Sequence, residues 1–337
     1  TRTTKAARSA RTVEAAKNRI MGHFHALEAK LKTFDSVGIP FDRAFPMRDL
    51  LFPILAATAP APAMTWLGDT VREQESAFQK RPFYYAFSGV SRHFDKRGLI
   101  EVSEERSQAL DPKVAGFSLE GWDQFRLARV LLLLTLGKQE KTVFLETIAA
   151  LLDTADLREA AAVYSAFPLL PHQEEFVEAS VDGLRSNIVG IFDSIALGNP
   201  FPAAHFTAEA WNQMVLKAIF INRPLYRIVG IEERRNPDLS AAVSSLAHER
   251  WAAGRTLTPE AWRNCTSPVS DRILTDLEHL LDEGTAADRE AAALVIAREE
   301  PDRVRHLHEQ LEAELDAIAG GSLTWDHLGE RLESPIT

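Results

Sequence analysis

The sequence contains very little cysteine and no long hydrophobic segment. One cysteine, Cys265, occurs among 337 residues, which excludes an intramolecular disulfide framework and a zinc site built from several cysteines. Apolar runs such as Val130–Leu134 are far shorter than the roughly 20 residues that a membrane-spanning helix needs. Residues 1–11 are basic but lead into no hydrophobic secretory segment. We therefore expect no transmembrane segment, no export and a reducing, cytoplasmic location.

Positive charge is also in short supply over the chain as a whole. The sequence has 38 Lys and Arg residues against 48 Asp and Glu residues, a formal net charge of −10. Such a chain repels nucleic acid, so we expect no nucleic-acid partner. Hydrophobic residues make up 45% of the sequence and charged residues 26%, which is typical of a folded globular protein.

Strand patterns are nearly absent, and helical periodicity dominates the sequence. Capping patterns support this prediction at Asp156 with Glu159, and at Thr285 with Asp288. We predict an all-α fold, an irregular right-handed stack of antiparallel helices resembling HEAT or TPR arrays, with a globular helical bundle as the alternative. An N-terminal helix is predicted from a stripe of apolar residues at helical spacing: Val13, Ile20, Phe24, Leu27, Leu31 and Phe34.

The chain divides by pattern into two regions that we expect to be continuous in one elongated domain. Residues 12–115 read as a helical region with a loop-rich joint, and residues 116–318 as a helical array. Residues 1–11 and 319–337 are expected to be tails. Within these regions, Arg81 to Asp111 predicts a loop with short helical turns, and Glu174 to Leu197 predicts one long helix.

The familiar catalytic motifs are missing too. The sequence has no glycine-rich phosphate loop, no G-x-S-x-G elbow and no H-E-x-x-H motif. The pairs His23/His25 and His306/His308 are two residues apart, a spacing that points two imidazoles to different faces of a helix. We expect no metal and no cofactor.

Two cations stand beside apolar helical stripes. Arg185 borders the stripe formed by Val181 and Ile188, and Lys217 lies in a helix that is apolar on nearly every side. A buried ammonium group must reach solvent, pair with an acid or face a ligand cavity, because an unpaired buried charge is costly. For Arg185 the alternatives are a path to solvent or a pair with Asp182 or Glu178, and for Lys217 a path to solvent.

The segment around these residues is locally basic. Residues 211–263 contain eight Lys and Arg residues against five Asp and Glu residues. The local excess of positive charge, beside indole and amide groups, suits an anionic or polyol-bearing ligand. The alternative is that these cations contact helix C-termini. The candidate ligand-binding residues are Arg185, Asn187, Asn199, Trp211, Asn212, Lys217, His248, Arg250 and Trp251. We further predict that Lys217 and Arg250 belong to one ligand-facing cluster, so that Lys217→Met leaves folding intact or raises the melting temperature.

Two uninterrupted strings in this segment resemble the EboA family. They are W-N-Q-M-V-L-K at 211–217 and A-H-E-R-W-A-A-G-R at 247–255, and the resemblance is densest from Leu169 to Arg263. Shorter matches lie at 83–90, 183–187 and 196–202. The resemblance implies a helical bacterial protein of metabolite traffic, encoded with a prenyltransferase-like membrane protein and with sugar- or cyclitol-enzyme-like partners in secondary-metabolite clusters. It carries over no catalytic residues.

Three functions follow as hypotheses. The favoured one is a non-catalytic helical protein that binds a small polar or anionic metabolite, or a partner enzyme from the same gene cluster. The second is a metal-independent enzyme that acts on a sugar- or cyclitol-like metabolite with His248 and Lys217. The third is a structural adaptor for the membrane-bound partner, with an exposed apolar patch as its contact surface. A closed pocket shared by Lys217 and His248 would favour the enzyme, and an open groove would favour binding or assembly.

Overall fold

The computed structural model describes residues 46–110 and 112–333. The N-terminal helix predicted from Val13 to Phe34 lies outside the described residues. Within them the fold is all-α, as predicted, and the only β-type pairing is an isolated bridge between Leu99 and Asp123. No helix of the described part is long and apolar enough to cross a bilayer.

The helices follow one another on short connections. In chain order they are α1 (Pro46–Thr58), α2 (Ala61–Ser76), α3 (Lys80–Gly89), α4 (Glu104–Leu110), α5 (Gln124–Thr135), α6 (Lys141–Thr154), α7 (Leu157–Ala166), α8 (Val177–Arg185), α9 (Val189–Ala196), α10 (Phe201–His205), α11 (Ala208–Phe220), α12 (Pro237–Ala252), α13 (Asp271–Glu283), α14 (Ala286–Ile296), α15 (Arg305–Gln310), α16 (Glu312–Ala319) and α17 (Trp325–Glu333). Short 3-10 helices join several of them, including Leu225–Arg227 and Pro259–Asn264.

Packing is mostly between sequence neighbours, with α5 as the hub of the first half. The apolar run Val130–Leu134 lies in α5. It is buried on all sides because α1, α2 and α7 pack around α5. Further along, α11 packs on α12, α12 on α13 and α13 on α14. These contacts fit both the irregular stack and the bundle predicted from the sequence.

Local sequence chemistry sets several helix starts. Asp156 and Glu159 form a reciprocal capping box at α7, and Thr285 and Asp288 form a second one at α14, as the patterns predict. Asn236 caps α12 through the backbone N–H of Leu239, at 3.0 Å. These caps satisfy backbone donors that a helix start leaves unpaired.

The structure differs from the sequence prediction in three segments. Residues 174–197 form two helices, α8 and α9, because the chain turns at Ser186, whose side-chain oxygen accepts from the backbone N–H of Ile188. Residues 80–89 form a regular helix, α3, rather than a loop, because Phe83 and Phe87 lie one turn apart and are both buried in the core. A further helix, α17, occupies Trp325–Glu333 in the segment expected to be a tail.

Candidate functional site: a polar cleft and an apolar groove

One concave site lies between the turn-rich segment after α11 and the last helices. It has a volume of about 800 Å³. We call it the polar cleft and define it by the charged residues that line it, which are Glu120, Arg227, Glu232, Glu233, Arg263, Arg298 and Asp326. Its size matches the volumes typical of small-molecule sites, about 300 to 1,000 Å³.

A buried glutamate joins the two 3-10 helices that form the base of the polar cleft. The carboxylate of Glu260 accepts hydrogen bonds from the backbone N–H groups of Leu225, at 3.0 Å, and Tyr226, at 2.7 Å. Burial raises the pKa of Glu260, while Arg263 acts in the opposite direction. Helix α17 closes over this base at Gly329, where a Cβ atom would lie 2.5 Å from the Tyr226 ring. Only glycine allows so close an approach.

Arg263 is the most heavily engaged cation of the cleft. Its Nη1 donates to Glu260 at 3.3 Å, and its Nη2 donates to Glu232 and to Asp326, each at 3.1 Å. Its Nε has no hydrogen-bond partner among the described residues. The guanidinium carbon also lies 5.9 Å from the ring of Trp325. One guanidinium therefore serves three carboxylates at the wall of the cleft.

The rim of the cleft carries a second polar contact, made by the end of α17. The Tyr226 hydroxyl donates to Glu333 Oε2 at 2.5 Å, and Arg227 Nη1 donates to Glu333 Oε1 at 3.3 Å. Burial and the Glu333 carboxylate raise the pKa of Tyr226, so this phenol stays protonated and able to donate. Arg227 also lies 3.5 Å from Glu120. These contacts tie the last helix to the segment that follows α11.

A second concave site, largely apolar, lies between α11 and α12. It has a volume of about 760 Å³ and is open to solvent. We call it the Lys217 groove; its lining includes Asn187, Leu216, Lys217, Phe220, Leu246 and Glu249. The Phe220 side chain is 66% exposed, and Ile188 and Val189, which follow Asn187 in the chain, are exposed as well. Large apolar side chains clustered on a surface are typical of interaction sites.

Lys217 is held against the end of α8. Its Nζ donates to the backbone carbonyl oxygens of Leu184, at 2.5 Å, and Ser186, at 2.8 Å. It also lies 5.8 Å from the ring of Phe192. The ammonium group thus closes the C-terminus of α8, where unpaired carbonyls and the helix dipole favour a cation.

Arg250 and Arg185, two further candidate residues, have different contacts. Arg250 donates to the carbonyl oxygen of Phe220 at 3.3 Å, and its guanidinium carbon lies 5.2 Å from the Phe220 ring. Lys217 and Arg250 therefore both adjoin Phe220, although their common role in ligand binding stays a prediction. Arg185 is exposed and pairs with Asp182 at 2.6 Å, which is one of the alternatives that the sequence leaves open. Asn187 contributes to the Lys217 groove directly.

Three of the candidate residues make contacts that hold helices and turns of the fold together. Asn199 is buried and donates to the carbonyl of Ser194, while its side-chain oxygen accepts from the N–H of Phe201, so it shapes the turn into α10. Asn212 exchanges two hydrogen bonds with Asn236, which links α11 to the cap of α12. Trp211 is fully buried, with the guanidinium carbon of Arg234 4.9 Å from its ring.

His248 and Trp251 lie on another face of α12 from the groove. His248 Nε2 is 2.6 Å from Asp276 Oδ1, and Ser244 donates to the other oxygen of this buried carboxylate at 2.5 Å. The aspartate stands between serine and histidine, whereas a nucleophilic triad places histidine in the middle. The Trp251 ring packs at 4.3 Å from the His279 ring. His248 is not among the residues that line the Lys217 groove, so the geometry does not bring Lys217 and His248 into one pocket.

Metal-binding chemistry finds no support in residues 46–110 and 112–333. No group of three or more His, Cys, Asp or Glu side chains in this part of the chain could hold a metal ion. Cys265 is buried, and burial raises the pKa of its thiol to about 12. The thiolate that a nucleophile or a metal ligand requires is therefore disfavoured.

A family model decides the relationship of this sequence to known proteins. The model described as metabolite traffic protein EboA matches residues 47–266, more than half of the chain. The chain belongs to the EboA family. Comparisons with curated proteins and with solved structures gave no match. The resemblance predicted from the strings at 211–217 and 247–255 is confirmed, and a role in metabolite traffic fits the family description.

The segment that matches the EboA family contains only one side of the polar cleft. Arg227, Glu232 and Arg263 lie within residues 47–266, whereas Arg298 and Asp326 lie beyond them. Sequence reasoning missed this site, although Arg227 and Arg263 were counted in the basic segment. The signal that could have found it is the spacing of Glu260 and Arg263 at i and i+3 in a short helix, which places opposite charges side by side.

Proposed function

We propose that this member of the EboA family is a non-catalytic protein that holds a small polar metabolite in the polar cleft. The observation that carries the proposal is the convergence of Glu232, Glu260 and Asp326 on Arg263 at the wall of a cavity of about 800 Å³. Convergent polar groups in a concave site are the usual means by which proteins orient hydroxylated ligands. No group of three or more His, Cys, Asp or Glu side chains that could hold a metal ion occurs among the described residues.

Filling the cleft provides the test. Ala297 lines the cleft, is exposed and follows the end of α14, so Ala297→Trp adds bulk in the cavity without removing a core side chain. Protein purified from its host is examined by native mass spectrometry for a retained small molecule, with Ala297→Ser as the control. We expect an additional mass on the wild type and on Ala297→Ser, and its loss on Ala297→Trp. Equal retention by all three proteins, or no retained mass on the wild type, contradicts the proposal.

A second candidate function uses the Lys217 groove. Phe220 lines the groove and is exposed, and Ile188 and Val189, which directly follow Asn187 of the lining in the chain, are exposed apolar residues too. This supports docking of a partner protein, such as the prenyltransferase-like membrane protein that the family resemblance implies. Phe220→Asp should then abolish co-purification with that partner. Leu157→Asp, at an exposed leucine of α7, is the matched control and should leave it unchanged.

A further inference from the structure

One exposed side of α3 carries cations and an aromatic ring but no carboxylate. Arg81, Tyr85, Ser88 and Arg92 are exposed and follow one another at spacings of four, three and four residues. The backbone stays helical from Lys80 to Arg92, because α3 runs directly into a 3-10 turn. Residues at these spacings lie on one side of a helix. We call this set of four exposed residues the α3 face.

The opposite side of the same helix is anchored in the core. Phe83, Phe87, Val90 and Phe94 repeat the spacing of the α3 face two residues further along, and each is at most 7% exposed. Two residues correspond to about 200° of rotation around a helix, so this buried side is directed away from the α3 face. Packing of the buried side therefore holds the α3 face toward solvent.

The loop that directly follows adds two more cations and an exposed aliphatic side chain. Lys96 and Arg97 are exposed, and Leu99 is 63% exposed. The loop is held from inside by Gln124 of α5, which is buried and whose side-chain oxygen accepts from the backbone N–H of Asp95 at 3.1 Å. The loop is thus fixed to the core while its cations and its leucine stay at the surface.

This surface lies in a basic part of an acidic chain. Residues 80–99 contain five Lys and Arg residues and one acid, although the formal net charge of the chain is −10. Lys80 pairs with Glu146 at 2.6 Å. The other four cations have no carboxylate partner among residues 46–110 and 112–333, and they are Arg81, Arg92, Lys96 and Arg97. An anionic partner would therefore meet four cations whose charge the protein leaves unbalanced.

We infer that the α3 face and the loop after it bind the surface of a bilayer that contains anionic phospholipids. The four cations suit lipid phosphates, while the exposed Tyr85 and Leu99 side chains suit the boundary between headgroups and acyl chains. The helix from Lys80 to Arg92 is about 20 Å long and can lie flat on such a surface. The inference goes beyond the proposed function, because no residue of this surface lines the polar cleft or the Lys217 groove.

Co-sedimentation of the full chain with lipid vesicles tests the inference. One set of vesicles contains phosphatidylglycerol and phosphatidylcholine in equal amounts, and the other contains phosphatidylcholine alone. We expect the chain to bind the anionic vesicles at least about tenfold more tightly than the neutral ones. We also expect binding to the anionic vesicles to weaken as salt is added, because salt screens interactions between exposed charges.

Two double variants with the same change in net charge assign the binding to this surface. Arg92→Glu combined with Lys96→Glu reverses two of its cations, whereas Arg255→Glu combined with Arg272→Glu reverses two exposed arginines elsewhere. Each cation near an anionic bilayer contributes about fivefold in affinity, so the first pair should weaken binding at least about twentyfold. The control pair should weaken it less than about threefold. The melting temperatures of both double variants show that the fold is intact.

A further variant separates a lipid surface from an acidic protein. Leu99→Ser removes an exposed apolar side chain and keeps every charge, so it should weaken binding to the anionic vesicles at least about threefold. Leu157→Ser, at an exposed leucine of α7, is the matched control and should leave binding unchanged. Beads coated with polyglutamate offer the chain an anionic polymer without an apolar layer, and we expect them to retain both leucine variants equally.

Several outcomes would overturn the inference. They are equal binding to anionic and neutral vesicles, equal affinities of the two charge-reversal variants, and no effect of Leu99→Ser on vesicle binding. Retention of the chain on polyglutamate beads without binding to vesicles also overturns it and indicates an acidic protein as the partner. Since the polar cleft shares no residue with this surface, each of these outcomes leaves the proposed function standing.

Discussion

Replacing Lys217 by methionine tests the role of this residue most directly. The contacts of its ammonium group lead to the opposite expectation for stability from the one drawn from the sequence, in which Lys217 and Arg250 share a ligand-facing cluster. The ammonium group donates to the carbonyl oxygens of Leu184 and Ser186 at 2.5 and 2.8 Å and closes the C-terminus of α8. Methionine preserves the length and the apolar contacts of the side chain but leaves both carbonyls without this donor.

The expected cost of this substitution follows from the two contacts. A hydrogen bond from a charged donor contributes about 1.5 to 3 kcal/mol to stability, and partial exposure of Lys217 favours the lower end. The favourable interaction of a cation with a helix C-terminus adds about 0.3 to 1 kcal/mol. Allowing for water that reaches the freed carbonyls, we expect Lys217→Met to lower the free energy of unfolding by about 2 to 3 kcal/mol.

Urea unfolding followed by far-UV circular dichroism measures this free energy. Lys80→Met is the matched control, because Lys80 forms an exposed ion pair with Glu146 at 2.6 Å that contributes little. We expect the midpoint for Lys217→Met to lie clearly below that for Lys80→Met. If the two variants unfold at the same urea concentration, the carbonyl contacts do not stabilise the fold and the reasoning is wrong.

Four further outcomes are expected. The buried Cys265 thiol, with its pKa raised to about 12, should not react with Ellman's reagent at pH 8 until urea unfolds the chain. Because the folded-state pKa lies above the unfolded one, this thiol's contribution to stability is complete below about pH 8.5 and declines as pH rises, which urea melts at pH 8 and 10.5 would detect. Gly198→Ala should destabilise by at least about 1 kcal/mol more than Gly254→Ala. Both glycines have positive φ angles, but only the Cβ at Gly198 would clash, at 2.8 Å from the Ser118 side chain. Glu260→Ala should cost about 3 to 5 kcal/mol in the same urea assay, since it leaves Arg263 and two backbone donors short of an acceptor.

The secondary structure could be predicted from the sequence where local signals were strong. The capping boxes at Asp156 and Thr285 gave correct helix starts because the cap depends on residues three positions apart. The break after Arg185 could not be predicted, since the carbonyls of Leu184 and Ser186 find their donor in Lys217, more than 30 positions along the chain. The helix at 80–89 was also missed, because burial of Phe83 and Phe87 against distant helices outweighs weak local preference.

The candidate site shows the same division between local and distant information. The basic composition of residues 211–263 suggested a cationic surface, but composition does not reveal which groups each charged side chain contacts. Arg234 donates to the carbonyls of Pro202 and Phe206, and Arg223 pairs with Asp193 through two hydrogen bonds. Lys217 and Arg250 are likewise engaged with helix ends, which is the alternative that the sequence left open. The polar cleft could not be predicted because its two sides come from segments far apart in the chain.

The position of the polar cleft has a consequence for how such a protein can change. One wall is built within residues 47–266, which carry the family resemblance, and the other is built from α14 to α17. Substitutions at Thr324 alter the second wall, whereas Arg298 and Asp326 also contact the first wall through Cys265 and Arg263. Under the proposed function, such a substitution changes which metabolite the cleft accepts and leaves residues 47–266, which match the family model, unaltered.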